Sequence, residues 1–192
     1  MARRSFLALL VCTLSSASEP NPPTWPDSVH VFGPNDATDA AAKMLAAYSV
    51  NGGHSPSNHG QFSSARYAFM FKPGKYDVDA PVGYYTTVHG LGETPSDVTF
   101  ISPRGVYSEE QDYNTGGALS TFWRGAENFR SEATQNWQVG TGMMWAVSQA
   151  APLRRVDVAN DLLLFEYQPP IPAAGQASGA GDLSLPLCPC LP

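Results

Sequence analysis

Cysteine is scarce in this sequence, with three residues in a chain of 192. Cys12 falls in an N-terminal apolar segment, whereas Cys188 and Cys190 lie two positions apart in a proline-rich stretch near the other end. A disulfide between residues so close in sequence is strained, so we do not predict a disulfide framework. The Cys-Pro-Cys pair also lacks a neighbouring histidine or cysteine that would complete a zinc ligand set. We therefore expect free or intermolecular thiols and no metal site.

Positive charge is also limited. The chain has 11 lysine and arginine residues against 17 acidic residues, and its formal net charge is −6. Proteins that bind nucleic acid neutralise phosphates with clustered lysine and arginine, so this composition argues against a nucleic-acid partner. No Asn-x-Ser/Thr motif occurs in the sequence, and N-glycosylation is therefore not expected.

Long apolar runs are absent as well, since no stretch after residue 17 approaches the roughly 20 residues that span a bilayer. The N-terminus has the pattern of a secretory signal peptide. Arg3 and Arg4 precede the apolar residues 6–12, and the small residues up to Ala17 suit signal peptidase. A short membrane anchor is the alternative, but the apolar run is too short for it. We predict cleavage after Ala17, a secreted extracellular protein, and no membrane association after removal of residues 1–17.

The feature that organises the rest of the chain is the segment of residues 67–92, YAFMFKPGKYDVDAPVGYYTTVHGLG. It contains three short apolar or β-branched stretches, at residues 67–71, 76–79 and 86–90, separated by proline and glycine. Proline fixes φ and glycine accepts positive φ, so both favour corners between short strands. Three strands and their corners in about 25 residues predict one rung of a β-solenoid, meaning one circuit of the chain around a core.

The residues before this segment predict a flexible lead-in, a strand and a helix. Residues 18–27 are rich in proline and residues 29–32 are strand-like. Asn35 or Asp36 can cap a helix that continues through the alanine-rich residues 40–48. We expect the residues of its buried face to be Ala37, Ala41, Met44 (or Leu45) and Tyr48. Such a helix would cover the open end of the first rung.

Further strands are expected at residues 97–101, 143–148, 153–158 and 162–167. Their inward side chains are predicted to be Met144, Val147, Val156, Val158, Leu163 and Phe165. Residues 28–172 would then form one partial domain, and residues 173–192, composed mainly of Ala, Gly, Ser, Pro and Leu, a disordered tail. Because a solenoid needs about three or more repeats and a cap at each end, we expect a truncated version of a longer protein.

Residues 68–78, AFMFKPGKYDV, and residues 87–92, TVHGLG, follow the helix and a polar loop. In this order they resemble the N-terminal opening of pectin-lyase-like right-handed parallel β-helix proteins. The chain also resembles the first part of a secreted family of such proteins, whose longer members are described as glycosidase-like or discoidin-associated. The resemblance implies an all-β right-handed parallel β-helix with two to three rungs, an N-terminal capping α-helix and a disordered C-terminal tail.

Carboxylates in the middle of the chain are candidates for catalysis. Glycoside hydrolysis uses two carboxyl groups at a set separation, one as general acid and one as nucleophile or base. Glu127 paired with Asp112 or Glu110 would provide such a pair. The alternative is that these acids are solvated and take no part in chemistry.

Aromatic and polar residues in the same region are candidates for sugar binding. Ring faces cover the apolar C–H patches of a sugar, while amides and charged groups meet its hydroxyls. The predicted substrate-binding residues are Trp123, Trp137, Trp145, Arg124 and Asn128. The alternative is that Phe122, Trp123 and Phe129 pack within or against the rungs.

A polysaccharide lyase is a second enzymatic alternative. It would need a base and commonly Ca²⁺, for which Asp77, Asp79 or Asp157 could supply oxygen ligands and Arg154–Arg155 cations. No cofactor is otherwise expected. We therefore predict a glycan partner and three alternatives for function: a glycosidase or lyase in full-length form, a non-catalytic sugar-binding or adhesion module, and a fragment without activity. The sequence does not indicate an oligomeric state.

Overall fold

The structure is a computed structural model, and it describes residues 24–53, 56, 58–109, 121–137, 140–146 and 149–164. These residues are mostly β-strand with one α-helix. The elements in chain order are β1 (Val29–Phe32), α1 (Ala37–Asn51), β2 (Tyr67–Phe71), β3 (Gly74–Tyr76), β4 (Ala80–Pro81), β5 (Thr86–Gly90), β6 (Val98–Phe100), β7 (Val106–Tyr107), β8 (Gly125–Ser131), β9 (Asn136–Trp137), β10 (Gly140–Met144), β11 (Leu153–Val158) and β12 (Asp161–Leu163).

Parallel pairing organises nearly all of these strands into three ladders. The first ladder has the order β1–β2–β5–β8–β11. In the second, β3 pairs with β6, and β6 pairs with the second half of β8. The third contains the pairs β4–β7 and β10–β12, which a parallel bridge between Ser108 and Trp145 connects. The chain thus returns to the same ladder after passing through the other two, and the parallel sheet is strongly curled.

One bend lies inside β8, at Asn128. Its φ is +58°, a left-handed conformation that asparagine tolerates better than most residues. The Asn128 amide donates hydrogen bonds to the carbonyl oxygens of Gly90 at 2.8 Å and of Gly92 at 2.7 Å. β11 bends in the same way at Arg155, with φ +51°. Between β5 and β6 the corresponding bend takes residues 91–97 and includes a short 3-10 helix.

The core lies between the ladders and is dominated by aromatic rings. Phe71 contacts Tyr76 and Phe100 edge-on, each with ring centroids 4.9 Å apart. Phe100 in turn contacts Phe129 with centroids 5.3 Å apart. Full burial of each such side chain contributes about 1.5–3 kcal/mol. The rings therefore join the first two ladders into one hydrophobic core.

Helix α1 covers one end of this core, as the sequence predicts. The buried residues are Ala40, Met44, Ala47 and Asn51. Met44 was assigned correctly, and the half-buried Ala37 and Ala41 also pack against the core. Tyr48 is half-buried, and Leu45, the alternative to Met44, is 63% exposed. Asn51 fixes the orientation, since its amide donates to the carbonyl of Tyr84 at 2.9 Å inside the core.

Four predicted strands are confirmed with their bounds: β1, β2, β5 and β11. Other predicted bounds were wrong, since residues 77–79 lie between strands, β10 ends at Met144 and β12 ends at Leu163. β8 was not predicted as a strand. Val147, Phe165 and the predicted tail lie outside the described residues. In the described part of the chain, no helix has the length and apolar character needed to cross a membrane.

Candidate functional site

The outer surface of the first ladder has a floor of small side chains. Strand residues alternate between the two faces of a sheet, and the register places Ala68 beside Thr87 and Thr87 beside Gly125. These three residues come from β2, β5 and β8 and form a row that runs across the strands. Because the side chains in this row are small, the surface is low here and can admit a ligand between taller neighbours.

A wall of flat side chains borders one side of this floor. Arg66, Tyr85 and Trp123 each lie just before a strand of the first ladder, so parallel pairing brings them to the same edge. The guanidinium carbon of Arg66 is 3.5 Å from the centroid of the Tyr85 ring. The rings of Tyr85 and Trp123 are stacked, with centroids 5.1 Å apart and planes within 6°. We call these three residues the aromatic wall.

The backbone of this wall is strained. Tyr85 has φ +53° and Trp123 has φ +55°, and a bulky residue in this region costs about 1–3 kcal/mol. Tyr85 is held by a hydrogen bond from its hydroxyl to the carbonyl of Gln61 at 2.7 Å. Trp123 remains 46% exposed despite its contacts with Tyr85 and Phe122. The chain therefore adopts a strained backbone at a position where a large aromatic side chain is exposed.

A polar wall borders the other side of the floor. It consists of His89, Glu127 and Arg154, which the register aligns on β5, β8 and β11. His89 Nδ1 lies 3.2 Å from Glu127 Oε1. Arg154 donates from Nε and Nη2 to Glu127 Oε2, both at 2.7 Å. Three residues separated by up to 65 positions in sequence thus meet through strand pairing alone.

The environment of Glu127 favours the carboxylate. The hydrogen bond from Arg154 has the largest effect and lowers the pKa of Glu127 below its ordinary value; burial opposes it, and the hydrogen bond with His89 adds a smaller lowering. An ionised carboxylate can accept hydrogen bonds or act as a base. A general acid requires the opposite, a carboxyl group whose pKa is raised. Glu127 is therefore poorly suited to donate a proton to a leaving group.

The two walls and the floor enclose a depression that we call the outer groove. The part beside the aromatic wall has a volume of about 360 Å³, and the part beside the polar wall has a volume of about 200 Å³. Thr87 lines both parts, so the groove is continuous. The groove thus places an exposed tryptophan opposite a carboxylate and a guanidinium group.

Two predicted substrate-binding residues lie inside the protein. Trp145 is 3% exposed and donates its indole N–H to the carbonyl of Ala151 at 2.9 Å. Arg124 is 2% exposed, and its guanidinium carbon lies 4.6 Å from the centroid of the Trp145 ring. It donates to the carbonyl oxygens of Thr121 and Ala146, and burial lowers its pKa to about 9. These contacts indicate that Trp145 and Arg124 stabilise the fold rather than contact a ligand.

Trp137 and Asn128 also have local structural partners. The half-buried Trp137 donates its indole N–H to the carbonyl of Gly142 at 3.0 Å and lies beside Tyr107. Asn128 forms the bend in β8, where its amide is occupied by backbone carbonyls. Neither residue lines the outer groove. Asp112 and Glu110, the predicted partners of Glu127, lie outside the described residues.

The residues considered for a lyase do not converge. Asp77 is exposed, and Asp79 accepts a hydrogen bond from the backbone N–H of Arg104 at 3.0 Å. Asp157 pairs with Arg130, while Arg155 donates to the carbonyl of Glu93 at 2.7 Å. Within the described ranges, no group of three or more histidine, cysteine or acidic residues is placed to hold a metal ion.

Three groove residues were missed by sequence reasoning: Arg66, Tyr85 and His89. The first two share a position immediately before a predicted strand, and this shared position was the available indication. His89 lies in a strand that was predicted correctly, and alternation along β5 would have placed its side chain on the outer face.

Comparisons with known proteins give one relative in sequence. No family model matches the chain. Over 105 residues, or 54% of the chain, the sequence is 45% identical to an exo-β-1,3-glucanase of Streptomyces sp. (strain SirexAA-E / ActE). The aligned region is 16% of the length of that enzyme, so the chain spans less than a fifth of this relative.

Two solved structures have the same fold over most of the chain. The structure of sacteLam55A from Streptomyces sp. SirexAA-E aligns with a TM-score of 0.59 and 38% identity, covering 73% of this chain and 23% of that chain. A variant of sacteLam55A in complex with glucose aligns with the same TM-score and 36% identity, over the same shares of the two chains. Each of these similarities is to a part of a longer protein.

Proposed function

We propose that this chain is part of a secreted carbohydrate-active protein of the glycosidase type, and that its glycan is a β-1,3-glucan. The observation that carries the proposal is the 45% identity to an exo-β-1,3-glucanase over 105 residues. Secretion is supported by the basic and apolar residues at the N-terminus, with cleavage proposed after Ala17.

The fold that we propose for the whole domain is the right-handed parallel β-helix that the sequence resembles. Its support is the pairing pattern, in which strands far apart in sequence align in parallel in three ladders around one core. Helix α1 at one end would act as the cap that such a stack requires.

We do not expect this chain alone to hydrolyse a glycan. Hydrolysis of a glycosidic bond needs a proton donor as well as a nucleophile or base, and the surroundings of Glu127 keep its carboxyl group ionised. Asp112 and Glu110 stay candidates for the second carboxyl group. The aligned part of the chain corresponds to 16% of the glucanase, so we propose that hydrolysis belongs to a longer protein and that this chain contributes glycan recognition.

A non-catalytic binding module is the second candidate function. The observation that favours it is an exposed Trp123 and an ion-paired Glu127 along the same outer groove, because this arrangement offers contacts to a sugar without a free acid. The two candidates share the same ligand and differ in whether the glycan is cleaved.

The experiment is to incubate the purified chain with soluble and insoluble β-1,3-glucan, and with β-1,4-glucan and pectin as comparison polysaccharides. Binding is measured by pull-down and hydrolysis by the release of reducing sugar. Retention on β-1,3-glucan without sugar release is the expected result. Release of sugar would assign catalysis to this chain, and failure to bind any β-1,3-glucan would overturn the proposal.

A further inference from the structure

Trp123 contacts Tyr85 and Phe122, but these contacts do not bury it. The residue is 46% exposed. Its backbone has the left-handed conformation, which glycine adopts without strain and tryptophan does not. Backbone strain at a surface aromatic residue points to a role for that side chain, because a smaller residue would fold there at lower cost. A ring held in this way offers a flat apolar surface, which is what the C–H face of a pyranose ring packs against.

The polar wall provides the complementary contacts. Both oxygens of Glu127 are already bonded, but a carboxylate has about four acceptor sites and can take further hydrogen bonds. The Arg154 side chain is 72% exposed, and its Nη1 group makes no hydrogen bond among the described residues. Adjacent hydroxyls of a sugar could therefore donate to Glu127 and accept from Arg154. Charge-assisted hydrogen bonds of this kind are stronger than neutral ones.

The floor and the dimensions of the outer groove fit a small ligand. A Cβ atom added at Gly125 would have its nearest neighbour, Pro152 Cγ, 3.7 Å away, which is an ordinary van der Waals contact, so the lack of a side chain at Gly125 leaves room in the floor. The larger part of the groove, about 360 Å³, is near the lower end of the roughly 300–1,000 Å³ typical of small-molecule sites. This volume suits one or two sugar units.

We propose that the outer groove is a binding subsite for a β-linked glucose unit, with the sugar ring on Trp123 and its hydroxyls bonded to Glu127 and Arg154. The inference rests on the proposed function for the class of glycan and extends it to a defined set of residues. Glu127 acts here as an ionised hydrogen-bond acceptor, and Arg154 and His89 hold its carboxylate in place. No bond of the glycan is broken at this site.

The experiment measures the affinity of the full chain for short β-1,3-linked gluco-oligosaccharides by calorimetry, with β-1,4-linked oligosaccharides for comparison. Trp123→Gly removes the ring without adding backbone strain, and Glu127→Gln removes the charge but keeps the shape. Gly125→Val adds a side chain to the floor of the outer groove and leaves the residues of both walls unchanged. We expect each variant to lose about tenfold or more in affinity, equivalent to about 1.4 kcal/mol. Leu45→Ala, at an exposed position on α1, is the control and should bind like the unchanged protein.

Thermal unfolding of every variant distinguishes loss of the site from loss of the fold. Weaker binding at an unchanged unfolding temperature supports the inference. Undiminished binding by Trp123→Gly and Gly125→Val would overturn it and leave the proposed β-1,3-glucan function intact. If β-1,3- and β-1,4-linked ligands bind equally well, and the variants bind both more weakly, the subsite is supported but the proposed β-1,3 specificity is contradicted. Absence of binding by the unchanged protein would overturn both.

Discussion

Tyr85 and Trp123 stack with ring centroids 5.1 Å apart although each has a positive φ. They occupy equivalent positions, just before β5 and β8, so the same unusual backbone conformation recurs where two neighbouring strands begin. Parallel pairing of those strands converts this repetition into a stack. The contact between the two rings therefore depends on the register of the first ladder as well as on the rings themselves.

Trp123→Gly should change the free energy of unfolding by less than about 1 kcal/mol. The variant loses a stacking contact of about 0.5–1.5 kcal/mol and the burial of about half of the Trp123 side chain, but relief of backbone strain returns about 1–3 kcal/mol. Trp145→Ala, which empties a buried site, should cost about 3–5 kcal/mol. Urea denaturation of both variants provides the comparison. A large loss in Trp123→Gly, similar to that in Trp145→Ala, would show that Trp123 is a packing residue.

Arg154→Ala should raise the pKa of Glu127, because the hydrogen bond from Arg154 is the main cause of the lowered pKa. His89→Ala should raise it less, since His89 has the smaller effect. Carboxyl carbon chemical shifts measured by NMR during a pH titration report this pKa directly. An unchanged Glu127 titration in Arg154→Ala would contradict the ion pair.

The ion pair between Glu127 and Arg154 predicts how the free energy of unfolding depends on pH. A carboxyl group whose pKa is lower in the folded state stabilises the protein above its unfolded pKa, about 4.3 for glutamate. This stabilisation is lost as the pH falls through the folded value. Part of the acid-induced loss of stability should therefore disappear in Arg154→Ala. Denaturation curves of the variant and the unchanged protein, recorded from pH 7 down to pH 3, measure the difference; equal losses in both would argue against the linkage.

Gly90→Ala should be strongly destabilising. The added Cβ atom would lie 1.9 Å from the carbonyl oxygen of Asn128, and backbone atoms there cannot move aside. We expect a loss of more than about 3 kcal/mol or failure to fold. Gly125→Ala is the matched control, because its Cβ atom would meet only ordinary contacts at 3.7 Å or more. Similar stabilities of the two variants by thermal unfolding would contradict the close approach at Gly90.

Asn128 should be more sensitive to alanine than to glycine. Both substitutions remove the hydrogen bonds to the carbonyls of Gly90 and Gly92, worth about 0.5–1.5 kcal/mol each. Alanine also has to adopt a φ of +58°, which adds about 1 kcal/mol relative to glycine. The free energies of unfolding should therefore decrease in the order Asn, Gly, Ala. An alanine variant as stable as the glycine variant would show that the bend relaxes.

Much of the fold was predictable because proline and glycine mark the corners clearly. Pro73 and Gly74 follow β2, Gly83 precedes β5 and Gly90 ends it, and the predicted bounds of both strands are confirmed. β8 was missed for a physical reason. Asn128 reverses the alternation in the middle of the strand, so that Ala126 and Phe129 point inward while Glu127 and Arg130 are partly exposed. A strand that bends within its length has no simple period of two.

The candidate site was predictable in residue type but not in arrangement. Trp123 and Glu127 were both identified, and both line the outer groove. Trp123 and Arg124 are adjacent in sequence, yet the structure exposes the first and buries the second. His89 lies 38 positions from Glu127, and only the register of parallel strands shows that they meet. A single sequence contains no information on that register.

The bend at Asn128 and Arg155 has a consequence for how such a chain can change during evolution. In β8 and in β11 the bend is formed by a single residue. Between β5 and β6 the equivalent bend is formed by residues 91–97. Chain length at this position can therefore vary without altering the pairing of the strands on either side. The groove residues His89, Glu127 and Arg154 lie before this bend in their strands. The protein can lengthen at this bend while the surface that we propose for glycan recognition stays the same.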